Sequence, residues 1–208
     1  STRPLDEFSV LVRFNQAVNI IHSVFSKTEK SLENLVSAIS PFGLSTKIRG
    51  TTERKESTDL VLYSSAGKSY INCDKVLKGS EYINGYKVLI SQTSAEHAGE
   101  PGKDGSFRIL TSSMRVLKPR EVCTHSYLIA GLFSTENEAE NLLRYLKTKF
   151  VRFLILQSLS SIHLTKSTFS FVPMQDFSKP WTDAELYEKY ALTKEEIAFI
   201  ESMIKPME

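Results

Sequence analysis

The sequence predicts an α+β protein in which a mixed sheet of short strands carries a long helix packed across it. A pair of N-terminal helices precedes this unit and a helical tail follows it. Three observations lead there. Short β-rich apolar runs alternate with turn signals between Lys47 and Phe133. From Thr135 to Leu156 the apolar period changes to the 3.6-residue stripe of a helix. After Pro180, two Thr-x-x-Glu sequences mark further helix starts.

Taken in order, residues 1–13 carry no clear period and are expected to continue from an upstream domain. Ser1 suggests a piece of a longer polypeptide. Asn15 is positioned to cap a helix whose stripe is Ala17, Val18, Ile21, Val24 and Phe25. A second helix is expected from Ser31, with Leu32, Leu35, Val36 and Ile39 on one face, stopped by the Pro41-Phe42-Gly43 turn. Leu60–Tyr63 and Ser69–Asn72 read as strands joined by a hairpin through Gly67. Asn84-Gly85 turns the chain into the strand Tyr86–Ile90, and a long polar loop runs from Ser94 to Gly105. Strands are expected again over Phe107–Leu110, Met114–Leu117 and Tyr127–Phe133. Thr135 and Glu138 form a capping box, after which Ala139, Leu142, Leu143, Leu146, Phe150, Phe153 and Leu154 form one buried helical face. Ser158–Thr168 is a hydroxyl-rich loop. The boxes Thr182…Glu185 and Thr193…Glu196 open two short helices, the second striped by Ile197, Ile200 and Ile204.

Composition sets bounds on function. Hydrophobic residues at 41% and charged residues at 24% are ordinary for a globular protein of 208 residues. No apolar run approaches the ~20 residues of a membrane-spanning helix, and the expectation is a cytoplasmic protein. Cys73 and Cys123 stand apart, with no partner at metal-ligand spacing, so both are expected reduced. The net charge of +2 is unevenly spread. Residues 41–120 hold 13 Lys and Arg against 8 Asp and Glu, whereas residues 121–208 hold 9 against 12. A phosphate-binding surface needs clustered cations, and the middle segment is where one can lie.

Catalytic patterns are weak. Gly67-Lys68-Ser69 lacks the earlier glycine of a phosphate loop and leads into a strand. His22, His97, His125 and His163 sit in unrelated contexts, and no nucleophile elbow occurs. Glu53-Arg54-Lys55 pairs an acid with a lysine in polar surroundings, which reads as an exposed loop before it reads as a nuclease centre. What remains is a set of basic and hydrogen-bonding side chains on connections: Lys47, Arg49, Arg54 and Lys55, then Lys68, then His97, Lys103 and Arg108. Arginine can read guanine edges while lysine and backbone amides hold phosphates.

Lys87-Val88-Leu89-Ile90-Ser91, Val116-Leu117-Lys118-Pro119 and Tyr127-Leu128-Ile129-Ala130-Gly131 resemble strands of the target-recognition domains of type II restriction–modification adenine methylases. The helix from Ala139 to Phe153 is similar to the helix that follows in those enzymes and in type I specificity subunits. Phe171-Val172-Pro173 is similar to their closing strand, and the Trp181–Ile197 tail to the C-terminal end of such methylases. The resemblance implies a domain that selects a duplex DNA sequence, without a catalytic centre, metal or cofactor of its own. It also implies an upstream methylase domain using S-adenosylmethionine in the parent protein. The matching residues are apolar scaffold positions, so no DNA contact carries over.

The expected organisation is an N-terminal helical segment (1–40), a recognition-like α+β unit (41–178) and a helical tail (179–208). The expected DNA contacts are Lys47, Arg49, Lys55, Lys68, His97, Lys103 and Arg108. A restriction endonuclease domain with a divergent metal site, or a protein-docking module of a modification complex, are the alternatives.

Overall fold

The computed structural model describes Phe8 and residues 12–27, 30–93 and 99–207. The architecture is α+β. The elements are α1 (Ala17–Phe25), β1 (Leu60–Ser64), β2 (Gly67–Ile71), β3 (Tyr86–Ser91), β4 (Arg115–Leu117), β5 (Glu121–Cys123), β6 (Tyr127–Phe133), α2 (Glu136–Lys147), α3 (Lys149–Ser158), α4 (Asp183–Lys189) and α5 (Lys194–Met203). The strands divide between two three-stranded sheets. One has the order β2-β1-β5, with β1 antiparallel to β2 and parallel to β5. The other, β4-β3-β6, is wholly antiparallel.

Alternation along the strands explains how these layers stack. Leu60, Leu62, Ile71 and Val122 of the first sheet meet Leu89, Leu117 and Ile129 of the second in one apolar layer, closed by Phe42 and Leu44. On the opposite face of the second sheet, Val88, Ile90, Leu128 and Ala130 pack against the helices. The order is therefore sheet, sheet, helices. β3 is covered on both faces, which is why its run reads as continuously apolar.

Four local expectations change. Asn15 does not cap α1; the position falls to Gln16, whose side chain makes no capping bond, and Ile20 replaces Val18 and half-exposed Phe25 on the buried face. Instead of a second helix, only a 3₁₀ turn forms over Leu32–Leu35, capped by Ser31. Val36 then leaves in extended conformation and bridges Ala130, while Ser37 exchanges hydrogen bonds with Ile129 (2.8 and 3.1 Å). Covering the open edge of β6 outweighs one more helical turn. Phe107–Leu110 is not a strand: Phe107 pairs only with Ile204, and Leu110 adopts a left-handed φ of 64°. Phe171-Val172-Pro173 is not one either, since only Pro173 bridges Ser31, after a 3₁₀ turn over Lys166–Phe169.

The long helix is two helices end to end. Its capping box forms as the sequence indicates, with Thr135 and Glu138 each satisfying the other's backbone. At Thr148 the backbone is extended (φ −62°, ψ 150°), ending α2 and capping α3. The Thr148 hydroxyl donates to Tyr145 O at 2.7 Å and accepts from Val151 N at 3.2 Å. Asp183 of α4 accepts from the first two amides of α3, Lys149 N and Phe150 N (3.1 and 2.8 Å). Arg152, 3% exposed, donates from Nε to Lys147 O and Thr148 O and from Nη1 to Lys205 O. The break thus leaves few of the orphan groups that helix ends carry. Every residue of α3 from Phe150 to Ser158 is buried. Tyr190 stacks on Phe150 at 5.2 Å and 8°, so the C-terminal segment belongs to the same core as the helices.

Both cysteines are free thiols. Cys123 lies fully buried between the sheets, and desolvation pushes its thiol pKa well up, whereas Cys73 is partly exposed. A thiol-specific chromogenic reagent is expected to label Cys73 alone in native protein and both residues in denaturant. Rapid native labelling of Cys123 would contradict the sealed inter-sheet layer.

Candidate nucleic-acid interface

The β1–β2 hairpin carries the candidate surface. Its turn depends on Gly67, whose φ of 106° is a backbone conformation other residues rarely adopt. Leu60 and Leu62 are buried in the apolar cluster between the sheets, and half-buried Tyr63 packs against the same cluster. Register places Tyr70 beside Val61 and Lys68 beside Tyr63. Two arginines lie over the rings. Arg54 is 5.4 Å from the Tyr70 centroid, and Arg115 of β4 is 5.5 Å from that of Tyr63. The Tyr63 hydroxyl donates to Glu121 at 3.4 Å; burial first, and then this carboxylate, raise its pKa.

The preceding loop is stitched to the same hairpin. Thr51 and Tyr70 exchange backbone hydrogen bonds of 2.8 and 2.9 Å along the outer edge of β2. Gly50 allows this approach: a Cβ there would stand 2.5 Å from Tyr70 O. Lys47 and Arg49, both exposed, are carried beside β2 as a result, and the Arg49 guanidinium is steadied by Thr46 O. Lys55 is exposed a few residues on. Its amide and that of Glu56 donate to Asp59 (2.8 and 3.0 Å), and these bonds lower the Asp59 pKa.

Beside the hairpin turn opens a cleft of about 580 Å³ whose wall includes Thr46, Ser65, Gln92, Thr93, His125 and His163. Among the described residues, no Asp, Glu, Lys or Arg lines it. Thr46 precedes Lys47, and Ser65 sits in the turn that leads to Lys68, so cations flank a polar hydrogen-bonding wall. The His125 backbone N–H donates to Leu44 O (2.8 Å), and His163 bridges Thr93.

Of the residues expected to contact DNA, the structure brings Lys47, Arg49 and Lys68 to one region, with Lys55 on the continuation of the same loop. Lys103 and Arg108 line a separate cleft beside Lys205. His97 lies outside the described residues. The expectation that the histidines occupy unrelated contexts fails for His125 and His163, which share one wall although 38 positions apart. Tyr63, Tyr70, Arg115 and Gln92 carried no local signal, because their role depends on strand register.

Among the described residues no three or more His, Cys, Asp or Glu side chains converge as a metal group. No helix among them is long and apolar enough to cross a membrane. β6 leads directly into α2 through Ser134-Thr135, a turn without glycine whose helix N-terminus is occupied by Glu138. No protein-family model matches the chain, and no curated protein matches it.

Proposed function

We propose that this chain recognises duplex DNA, as the target-recognition part of a restriction–modification adenine methylase whose cofactor is held elsewhere in the parent protein. The observation that carries the reading is the polar cleft walled by Gln92, Thr93, His125 and His163 and flanked by Lys47, Arg49 and Lys68. Uncharged donors and acceptors can discriminate base edges, with a glutamine amide suited to adenine. Phosphates are held by cations to either side, which fix register without reading sequence. Arg54 and Arg115, laid on tyrosine rings, extend the positive face across the hairpin. The methylase setting rests on the sequence resemblance.

Fluorescence anisotropy with a labelled duplex tests this. The chain alone is expected to bind in the non-specific range, about 10⁻⁴–10⁻⁶ M, and more weakly as salt rises. A Lys47→Ala/Arg49→Ala/Lys68→Ala variant is expected to bind all sequences less tightly, with the salt slope reduced by about 0.9 for each phosphate no longer neutralised. In the parent protein, Gln92→Ala is expected to relax discrimination by about 1–3 kcal/mol at one base pair. Unchanged affinity and slope in the triple variant would remove this surface from consideration.

A further inference from the structure

A second cleft, of about 710 Å³, opens where the Ser106–Ser112 segment passes the ends of α3 and α5. It adjoins a smaller one of about 460 Å³ that shares Ser106, Arg108 and Lys205 and adds Lys103. Arg152, almost fully buried, reaches its wall from α3. Of the carboxylates at these clefts, Glu100 lines the smaller one, and Asp104 and Glu201 are already engaged. Asp104 accepts from Ser106 N and Oγ (3.1 and 2.8 Å) and pairs with Lys205 at 3.3 Å. Glu201 is held by Lys149 and by the Tyr187 hydroxyl. Arg108 has no ion pair among the described residues. Three hydrogen bonds from the Arg152 guanidinium, two from Nε and one from Nη1, go to main-chain carbonyls and lock its plane.

We propose that this cleft binds a phosphate group, gripped by Arg108 and Lys205 against the fixed guanidinium of Arg152, with Lys103 at the rim. A guanidinium matches a phosphate in shape as well as charge, and one whose orientation is already set loses little freedom on binding. Burial strengthens its attraction relative to a surface lysine, because less water screens it. Thr111 and Ser112, on the same wall, can donate to the remaining phosphate oxygens. The cleft shares no lining residue with the cleft beside the β1–β2 hairpin, so the inference stands whether or not that hairpin reads DNA.

Thermal unfolding of the chain in rising inorganic phosphate, against sodium chloride at matched ionic strength, provides the test. Binding to the native state alone raises the melting temperature. The phosphate-specific rise is expected in the wild-type chain. Arg108→Ala and Lys205→Ala are each expected to need roughly tenfold more phosphate for the same rise, the scale of one charged hydrogen bond. A Lys166→Ala control, on an exposed residue away from the cleft, should leave it unchanged. The absence of a phosphate-specific rise, or its full retention in an Arg108→Ala/Lys205→Ala double variant, overturns the proposal. Duplex binding by the double variant then identifies the source of the phosphate. Weakened binding assigns the cleft to the nucleic-acid backbone, and unchanged binding with the phosphate response abolished assigns it to a small phosphorylated ligand.

Discussion

Arg152→Ala is expected to lower the unfolding free energy by about 3–5 kcal/mol, because it removes the partner of several main-chain carbonyls at once. Nε bonds Lys147 O and Thr148 O at 3.1 and 3.2 Å, and Nη1 bonds Lys205 O at 2.6 Å. Thr148 O retains the Arg152 amide, at 3.2 Å, after the side chain is removed. Lys147 O and Lys205 O have no such reserve; both are partly buried, and leaving one unsatisfied costs at most about 1–3 kcal/mol. The side-chain methylenes also leave a void beside the α2–α3 break. Lysine should rescue little, since its compact ammonium cannot reproduce the planar fork spanning helix break and C-terminal segment. Equilibrium urea unfolding measures the change. A loss below about 1 kcal/mol would mean that water replaces the guanidinium, and the break would then owe its form to Thr148 and Asp183 alone.

The second large effect lies at alkaline pH. Lys87 is fully buried in the inter-sheet layer, where Nζ donates to Gly85 O (3.0 Å) and Lys118 O (3.2 Å). Burial lowers its pKa from 10.5 to about 8, against a smaller upward pull from Glu121 and Cys123. Between those values the unfolded chain holds a proton that the folded protein has released, so stability rises with pH across the window. Below about pH 8 both states are protonated and the full penalty is present. The rise attributable to Lys87 is about 3 kcal/mol at most. Other groups titrate in the same range, so the measurement is the difference in unfolding free energy between the wild-type chain and Lys87→Met at pH 7.5, 9 and 10.5. That difference should shift in favour of the wild type as pH rises. A constant difference would place the ammonium in contact with water and refute the sealed layer.

The parts legible in the sequence are those with local causes. Capping boxes at Thr135, Thr182 and Thr193 form as read, because each needs only residues three apart. The β1–β2 hairpin follows from a glycine between two apolar runs. What escaped depends on distant partners. The period of Leu32, Leu35 and Val36 is helical, yet the edge of β6 claims Val36 and Ser37. The Ala139–Leu154 stripe runs unbroken through Thr148, and the carboxylate and guanidinium that end one helix there come from Asp183 and Arg152. Charge composition singled out Lys47, Arg49 and Lys68 as candidates, and the structure leaves all three exposed. Nothing in the spacing of Gln92, His125 and His163 could bring them together, since no single element carries them all.

The parallel pair β1–β5 sets when the hairpin face comes into being. Val61 lies against Glu121, sixty positions later, and the whole of β3 and β4 is threaded between them. Closing so wide a loop loses chain entropy before its contacts are gained, whereas the β1–β2 hairpin closes locally within microseconds. The hairpin can therefore form early, but Glu121 reaches Tyr63 only once the chain between them has condensed. A nascent chain would display the cations of the hairpin before Glu121 arrives to hold the Tyr63 hydroxyl beside them.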